Sequence, residues 1–307
     1  MLDILGKRYL FFAISLLFII PGLVILAVKG VPVSIDFEGG SLLEVQFSEG
    51  MTPQPAEIVS MYDDLGISDA QVQSTSQGSI IIRSSFIDDE TRAVVISEMN
   101  ARFQDEVTIL QFDSVGPTIG KEVTQRAGVA VAIAALGVVL FITFAFRGIP
   151  HAFRYGLCAI AAMAHDVLIV ISLAGFSGLF FGWQIDSLFL TALLTVIGFS
   201  VQDKIVVFDR IRENSNIYRK LPFEKLANHS IVQTLQRSIN TQLMTSEFML
   251  LAMALFGGIT LREFSVVLLV GLFSGTYSSI FIAAPLLVIW ENREWKTWFG
   301  RNKLSEA

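Results

Sequence analysis

The chain has 307 residues, of which 53% are hydrophobic and 16% charged, against about 25% charged in an average soluble domain. Its formal net charge of −6 argues against a nucleic-acid binder relying on overall basicity. The single cysteine, Cys158, excludes an intrachain disulfide and a cysteine-based zinc cluster, and three histidines make a poor metal cage.

A helix needs about 20 apolar residues to cross a hydrocarbon layer, and six segments qualify. Tyr9–Val28 is uncharged and longer than a signal-peptide core, with no A-x-A site after it, so it reads as an uncleaved anchor. Ala127–Phe146 is also uncharged. Tyr155–Phe176 contains His165 and Asp166, and Ser187–Phe208 contains Asp203 and Lys204. The fifth segment runs from near Ile231 to near Phe256 and carries Arg237 and Glu247. Phe264–Trp290 is uncharged.

With six spans both termini lie on one side. That side holds thirteen Lys and Arg residues and the other six, five of which sit in one long segment that the positive-inside rule discounts. Both termini are therefore expected in the cytoplasm. The resulting plan is 1–28 for the N-terminus and first helix, 29–125 for an extracytoplasmic domain, 126–292 for helices two to six, and 293–307 for a cytoplasmic tail.

Residues 29–125 carry 16 acidic and 5 basic side chains. Alternation and turn residues predict strands at Ser41–Phe47, Ala70–Ser74, Ser79–Ser84 and Glu106–Val115, with a turn at Gln77-Gly78. Helices are predicted at Pro53–Leu65, capped by Thr52, and at Asp88–Phe103, whose first residues Asp88, Asp89 and Glu90 suit a helix N-terminus. The order βαββαβ is the split-βαβ, ferredoxin-like arrangement. The expected fold is therefore a polytopic α-helical membrane protein with an α+β ferredoxin-like domain after its first helix. Gly39 and Gly40 precede the first strand and read either as a hinge or as a plain turn.

Ionisable groups inside a span are costly and face a bundle interior or line an ion path. Asp203 lies six residues, ~9 Å, inside the cytoplasmic end of the fourth span, and Arg237 seven residues, ~10 Å, inside that of the fifth. Opposite charges at matching depth form either a static lock or a switch. Protonating Asp203 weakens the attraction and releases Arg237, which stays charged. His165 and Asp166 are a second candidate station near mid-membrane. Asp209, at the interface, is a candidate proton exit, and Glu247 a further intramembrane acid. Gly271 and Gly275 form a GxxxG pattern suited to close helix packing. No nucleophile–base pair or phosphate loop points to an enzyme.

Several stretches carry a family resemblance: IDFEGGSLLEV at Ile35–Val45, VGPTIGKEV at Val115–Val123, AHDVL at Ala164–Leu168, TALLTVIGFSVQDKIVVFDRIREN at Thr191–Asn214, HSIVQTLQRSINT at His229–Thr241 and GTYSSIFIAAPLLVIWE at Gly275–Glu291. Together they resemble the SecF subunits of bacterial SecDF complexes, of the resistance-nodulation-division type. The resemblance implies a multi-pass protein of the bacterial plasma membrane that works with SecD. It implies use of the proton-motive force to help draw secreted polypeptide out of the SecYEG channel, with YajC as a further partner. It places the transport carboxylate on Asp203 and the membrane-embedded arginine on Arg237. It implies no cofactor and a proton, or in some members sodium, as coupling ion.

Two residues depart from the family pattern. The family usually reads Ser-Ile-Asn-Asp-Thr where this chain has Ser200-Val201-Gln202-Asp203-Lys204, and Glu247 stands where an uncharged residue is usual. Lys204 is expected either to reach along the helix to the cytoplasmic interface or to pair with Asp203. Two other functions remain open: half of a related transporter for lipids or small molecules, and a scaffold that only stabilises SecD.

Overall fold

The computed structural model describes residues 3–48, 53–75, 78–145, 147, 152–242 and 248–294. The chain divides into two compact units, one of residues 33–129 and one of residues 1–32 with 130–307.

In the smaller unit the order of strands and longer helices is β1 (Gly40–Gln46), α3 (Pro55–Asp64), β2 (Gln71–Ser74), β3 (Ser79–Ser84), α4 (Asp89–Phe103) and β4 (Thr108–Val115). A short helix α2, Ile35–Glu38, precedes β1, and α1, Arg8–Lys29, precedes both in the other unit. The four strands form one antiparallel sheet in the order β2-β3-β1-β4. Leu43 lies opposite Ile82 and Val45 opposite Ile80. Period-two alternation sends all four to one face. There they are buried with Ile58, Met61 and Tyr62 of α3 and Val95 and Met99 of α4.

The helix starts follow cap chemistry. Asp88 accepts from the amide of Thr91 at 2.9 Å, so α4 begins one residue after its cap. The cap of α3 is Gln54 rather than Thr52, which lies outside the described residues; the Glu57 carboxylate accepts from the Gln54 amide at 3.1 Å and Pro55 fills the first helical position. Gln77 of the expected turn is also outside them, while Gly78 has φ +83.

Asp105 accepts from the Ser48 amide at 2.7 Å and the Ser48 hydroxyl at 2.6 Å. These bonds hold its carboxyl below its ordinary value, as Thr91 does for Asp88. A carboxyl depressed on folding contributes stability that is present above its unfolded pKa, about 3.9, and is lost as pH falls through the folded value. Calorimetric melting of the Asp88→Asn/Asp105→Asn variant should therefore depend less on pH below about 4 than melting of the wild type.

Gly39 (φ +80) and Gly40 (φ +128) occupy backbone regions that L side chains avoid. A Cβ on Gly39 would stand 2.9 Å from the Pro117 Cα and one on Gly40 2.7 Å from the Ser84 carbonyl oxygen. The Thr124 hydroxyl donates to the Phe37 carbonyl at 2.9 Å. Backbone packed on both sides makes this a tight joint between the sheet and the first turns of α5, Pro117–Ala145.

The larger unit contains α1 and the later part of α5, then α6 (Ala152–Phe181), α7 (Ser187–Ile217), α8 (Phe223–Gln242), α9 (Phe248–Phe256) and α10 (Ile259–Ser278). A π-helical turn, Ser279–Ala283, joins α10 to α11, Ala284–Glu291. The wider turn lies just before Pro285, which has no N–H to continue an α-helical ladder. Among the described residues five helical segments are long and apolar enough to cross a membrane: Leu5–Lys29, Pro117–Ala145, Ala152–Phe181, Ser187–Ile217 and Leu261–Glu291. The segment expected as the fifth of six spans is described in two pieces, α8 and α9; residues 243–247, Glu247 among them, lie outside the described residues.

Candidate functional site: a buried charge cluster in the helical unit

Three helices converge on one carboxylate. Asp166 of α6 has a side chain 1% exposed, and Lys204 of α7 one that is 0% exposed. Lys204 Nζ donates to Asp166 Oδ2 at 2.8 Å, to the Ser200 carbonyl at 3.0 Å and to Ser200 Oγ at 2.5 Å. An ammonium has three donors, and all three are used. Asp166 Oδ2 also accepts from Ser200 Oγ at 2.6 Å and Ser278 Oγ at 2.7 Å, and Oδ1 accepts from Ser274 Oγ at 2.7 Å. His165 Nδ1 lies 3.1 Å from Oδ1. A buried ion pair repays its desolvation only when its remaining lone pairs and protons are satisfied, and this one meets that condition.

Helical spacing explains why these residues meet. Ser200 and Lys204, and Ser274 and Ser278, are i,i+4 pairs that stack on one face of α7 and α10. The helices come close because Gly271 and Gly275 face α7. A Cβ on Gly271 would stand 2.2 Å from Val196 Cγ2, and one on Gly275 3.3 Å from the Ser200 Cα. Gly271→Val should push α10 off α7 and cost about 1–3 kcal/mol of stability in a detergent unfolding assay. It should also loosen the hydroxyl bonds to Asp166.

Neither expected course of Lys204 is observed. Its four-carbon stem runs back one turn toward Ser200, so the ammonium meets Asp166 rather than the cytoplasmic interface or Asp203. The sequence contains the i,i+4 pairs that build this cluster, but not the convergence of three helices that joins them.

Asp203 is 7% exposed and accepts from the Thr276 hydroxyl of α10 at 3.1 Å. Arg237 of α8 is exposed and lines a cavity of about 430 Å³ with Asp209, Arg210, Glu213, Gln233 and Thr234. Asp203 and Arg237 form no ion pair with each other among the described residues, whereas Asp209 pairs with Arg212 at 3.2 Å. The structure thus brings His165 and Asp166 together with Lys204, sets Asp203 beside that cluster, and places Arg237 with Asp209 in a polar vestibule. His165 also stacks on Tyr277, with ring centroids 6.2 Å apart.

Among the described residues no group of three His, Cys, Asp or Glu side chains is arranged to hold a metal ion.

Comparison with known proteins adds a family context. Residues 95–293 match the family described as "Protein export membrane protein SecD/SecF, C-terminal", and residues 24–50 match the "SecD/SecF GG Motif". The chain is 72% identical to the protein translocase subunit SecF of Anaerolinea thermophila, over 98% of each chain. It is 33% identical to the protein translocase subunit SecDF of Bacillus subtilis, over 96% of this chain and 39% of that one. The crystal structure of SecDF from Thermus thermophilus, a translocon-associated membrane protein, superposes with a TM-score of 0.82 at 32% identity. That match covers 95% of this chain, which spans 39% of the length of the SecDF chain.

Proposed function

Because this chain belongs to the SecD/SecF protein-export membrane family, we propose that it is the SecF-type half of a proton-driven device that helps move polypeptide through SecYEG. Its first partner is SecD, to which SecF-like sequence is joined in the SecDF relatives; YajC is a further one. The protein sits in the bacterial plasma membrane with six spans, α8 and α9 contributing to the fifth, and with both termini in the cytoplasm. On that plan the Lys and Arg residues of the short connections outside the acidic insert, Arg262 apart, fall on the cytoplasmic side, which supports the orientation. The insert is ferredoxin-like, a reading supported by its βαββαβ order and its sheet order.

The observation that carries the mechanism is the division of labour among the charges. Lys204 is turned inward and its three donors are used around Asp166 and Ser200. That pair is a fixed lock between α6, α7 and α10. Asp203, one position away, is bonded by a neutral hydroxyl and is the acid that changes charge. Arg237, in the polar vestibule with Asp209, is the cation that Asp203 captures when ionised and releases when protonated from outside. His165 borders the lock, and Asp209 is the exit toward the cytoplasm. Each charge moved across the membrane is worth about 2.3 kcal/mol per 100 mV.

Precursor processing in cells dependent on this chain tests the reading. Arg237→Ala should slow export on the order of tenfold, about 1.4 kcal/mol in barrier, with normal amounts of protein in the membrane. A scaffold that only stabilises SecD would leave processing unchanged in both Arg237→Ala and Asp203→Asn.

A further inference from the structure

The atoms around Lys204 Nζ are those of a cation cage. Asp166 Oδ2, Ser200 Oγ and the Ser200 carbonyl oxygen all lie within 3.0 Å of it. Ser274 and Ser278 bring two more hydroxyl oxygens onto the same carboxylate. Carboxylate, hydroxyl and carbonyl oxygens are the donor set of hard cations. One negative charge among them matches one monovalent positive charge.

We propose that Lys204 occupies a latent sodium site, so that its tethered ammonium stands in for a bound Na⁺ and closes the cluster to free sodium. The lysine side chain is fully buried and fills the space at the centre of the oxygens, which leaves no room for a second cation. Removing the ammonium and its stem leaves Asp166 ionised, out of water and ringed by oxygen donors. Capturing a sodium ion is then the way to restore neutrality without protonating the carboxylate. The serine hydroxyls that now donate to Asp166 would turn lone pairs toward the ion. Of these, Ser200 Oγ already presents a lone pair to the ammonium and would present it unchanged to the ion. This proposal goes beyond the export reading and does not rest on it, because ion binding can be measured without translocation.

The test uses the full-length protein purified in detergent, with radioactive sodium as the probe and melting in NaCl against choline chloride as a second readout. Wild type should bind no sodium saturably and melt alike in both salts. Lys204→Ala should bind one sodium per chain with a half-saturating concentration about tenfold or more below any response of wild type, and should melt higher in NaCl. The gain should vanish in Lys204→Ala/Asp166→Asn. It should also be absent in Lys204→Met, whose stem still fills the cage. If Lys204→Ala does not fold in either salt, Lys204→Thr, which keeps a hydroxyl in the cage, is measured in its place. A folded Lys204→Ala or Lys204→Thr without a sodium response overturns the proposal. So does saturable sodium binding by wild type that Asp166→Asn abolishes.

Discussion

Asp166→Ala is expected to destabilise the helical unit by about 3–5 kcal/mol, because it removes the carboxylate to which the buried ammonium donates. Lys204→Ala should cost a similar amount when measured in choline chloride. The pair replaced together by apolar residues of similar size, Asp166→Leu/Lys204→Met, should recover most of the loss. Ser278 already has a second acceptor in the Gly275 carbonyl at 3.1 Å, so its hydroxyl is not orphaned when the carboxylate goes. A double-mutant cycle in reversible detergent unfolding should give a coupling of about 3 kcal/mol, at the top of the range for contacting residues. Additive losses would mean that the two charges do not depend on each other, and that the lock has been misassigned.

The second large effect falls on transport rather than stability. Asp203→Asn keeps the shape of the side chain and leaves an amide oxygen to accept from Thr276, so the protein should fold and melt close to wild type. It removes the only change of charge that the proposed cycle uses. The gradient-dependent part of translocation should fall on the order of a hundredfold, about 2.7 kcal/mol. The part driven without a gradient should stay as it is. Arg237→Lys should retain a fraction of the response, because lysine keeps the charge but not the planar fork that matches a carboxylate.

Much of this was legible in the sequence. The strands of the insert were, because Leu43 and Val45 alternate with Glu44 and Gln46, and the β-branched run Ile80–Ile82 follows the turn glycine Gly78. The start of α4 was recognisable from the acidic run Asp88-Asp89-Glu90, which suits a helix N-terminus, although Asp88 proves to be the cap rather than the first helical residue. Thr52 misled because threonine is a common cap and glutamine a rarer one; the reciprocal capping box between Gln54 and Glu57 sets the start of α3. The spans were visible as long apolar runs wherever charge was absent. The partnership of Lys204 was not visible. Depth along a helix axis suggests which charges are level with one another, but a lysine stem can carry its ammonium back by a full turn. Asp203 and Arg237 matched in depth and are not paired with each other in the structure, whereas Lys204, expected to reach the interface or Asp203, is in contact with Asp166. Pairing of charges inside a bundle depends on which faces meet, and that is set by small residues such as Gly271 and Gly275 rather than by the charged residues themselves.

The most direct test of the central claim is translocation into inverted membrane vesicles containing SecD, SecYEG and this chain, with an imposed proton gradient, wild type beside Asp203→Asn. The account predicts that the gradient stimulates wild type, that collapsing it removes the stimulation, and that Asp203→Asn performs alike with and without it. Equal gradient stimulation in the two proteins would show that Asp203 is not the acid that couples proton entry to export.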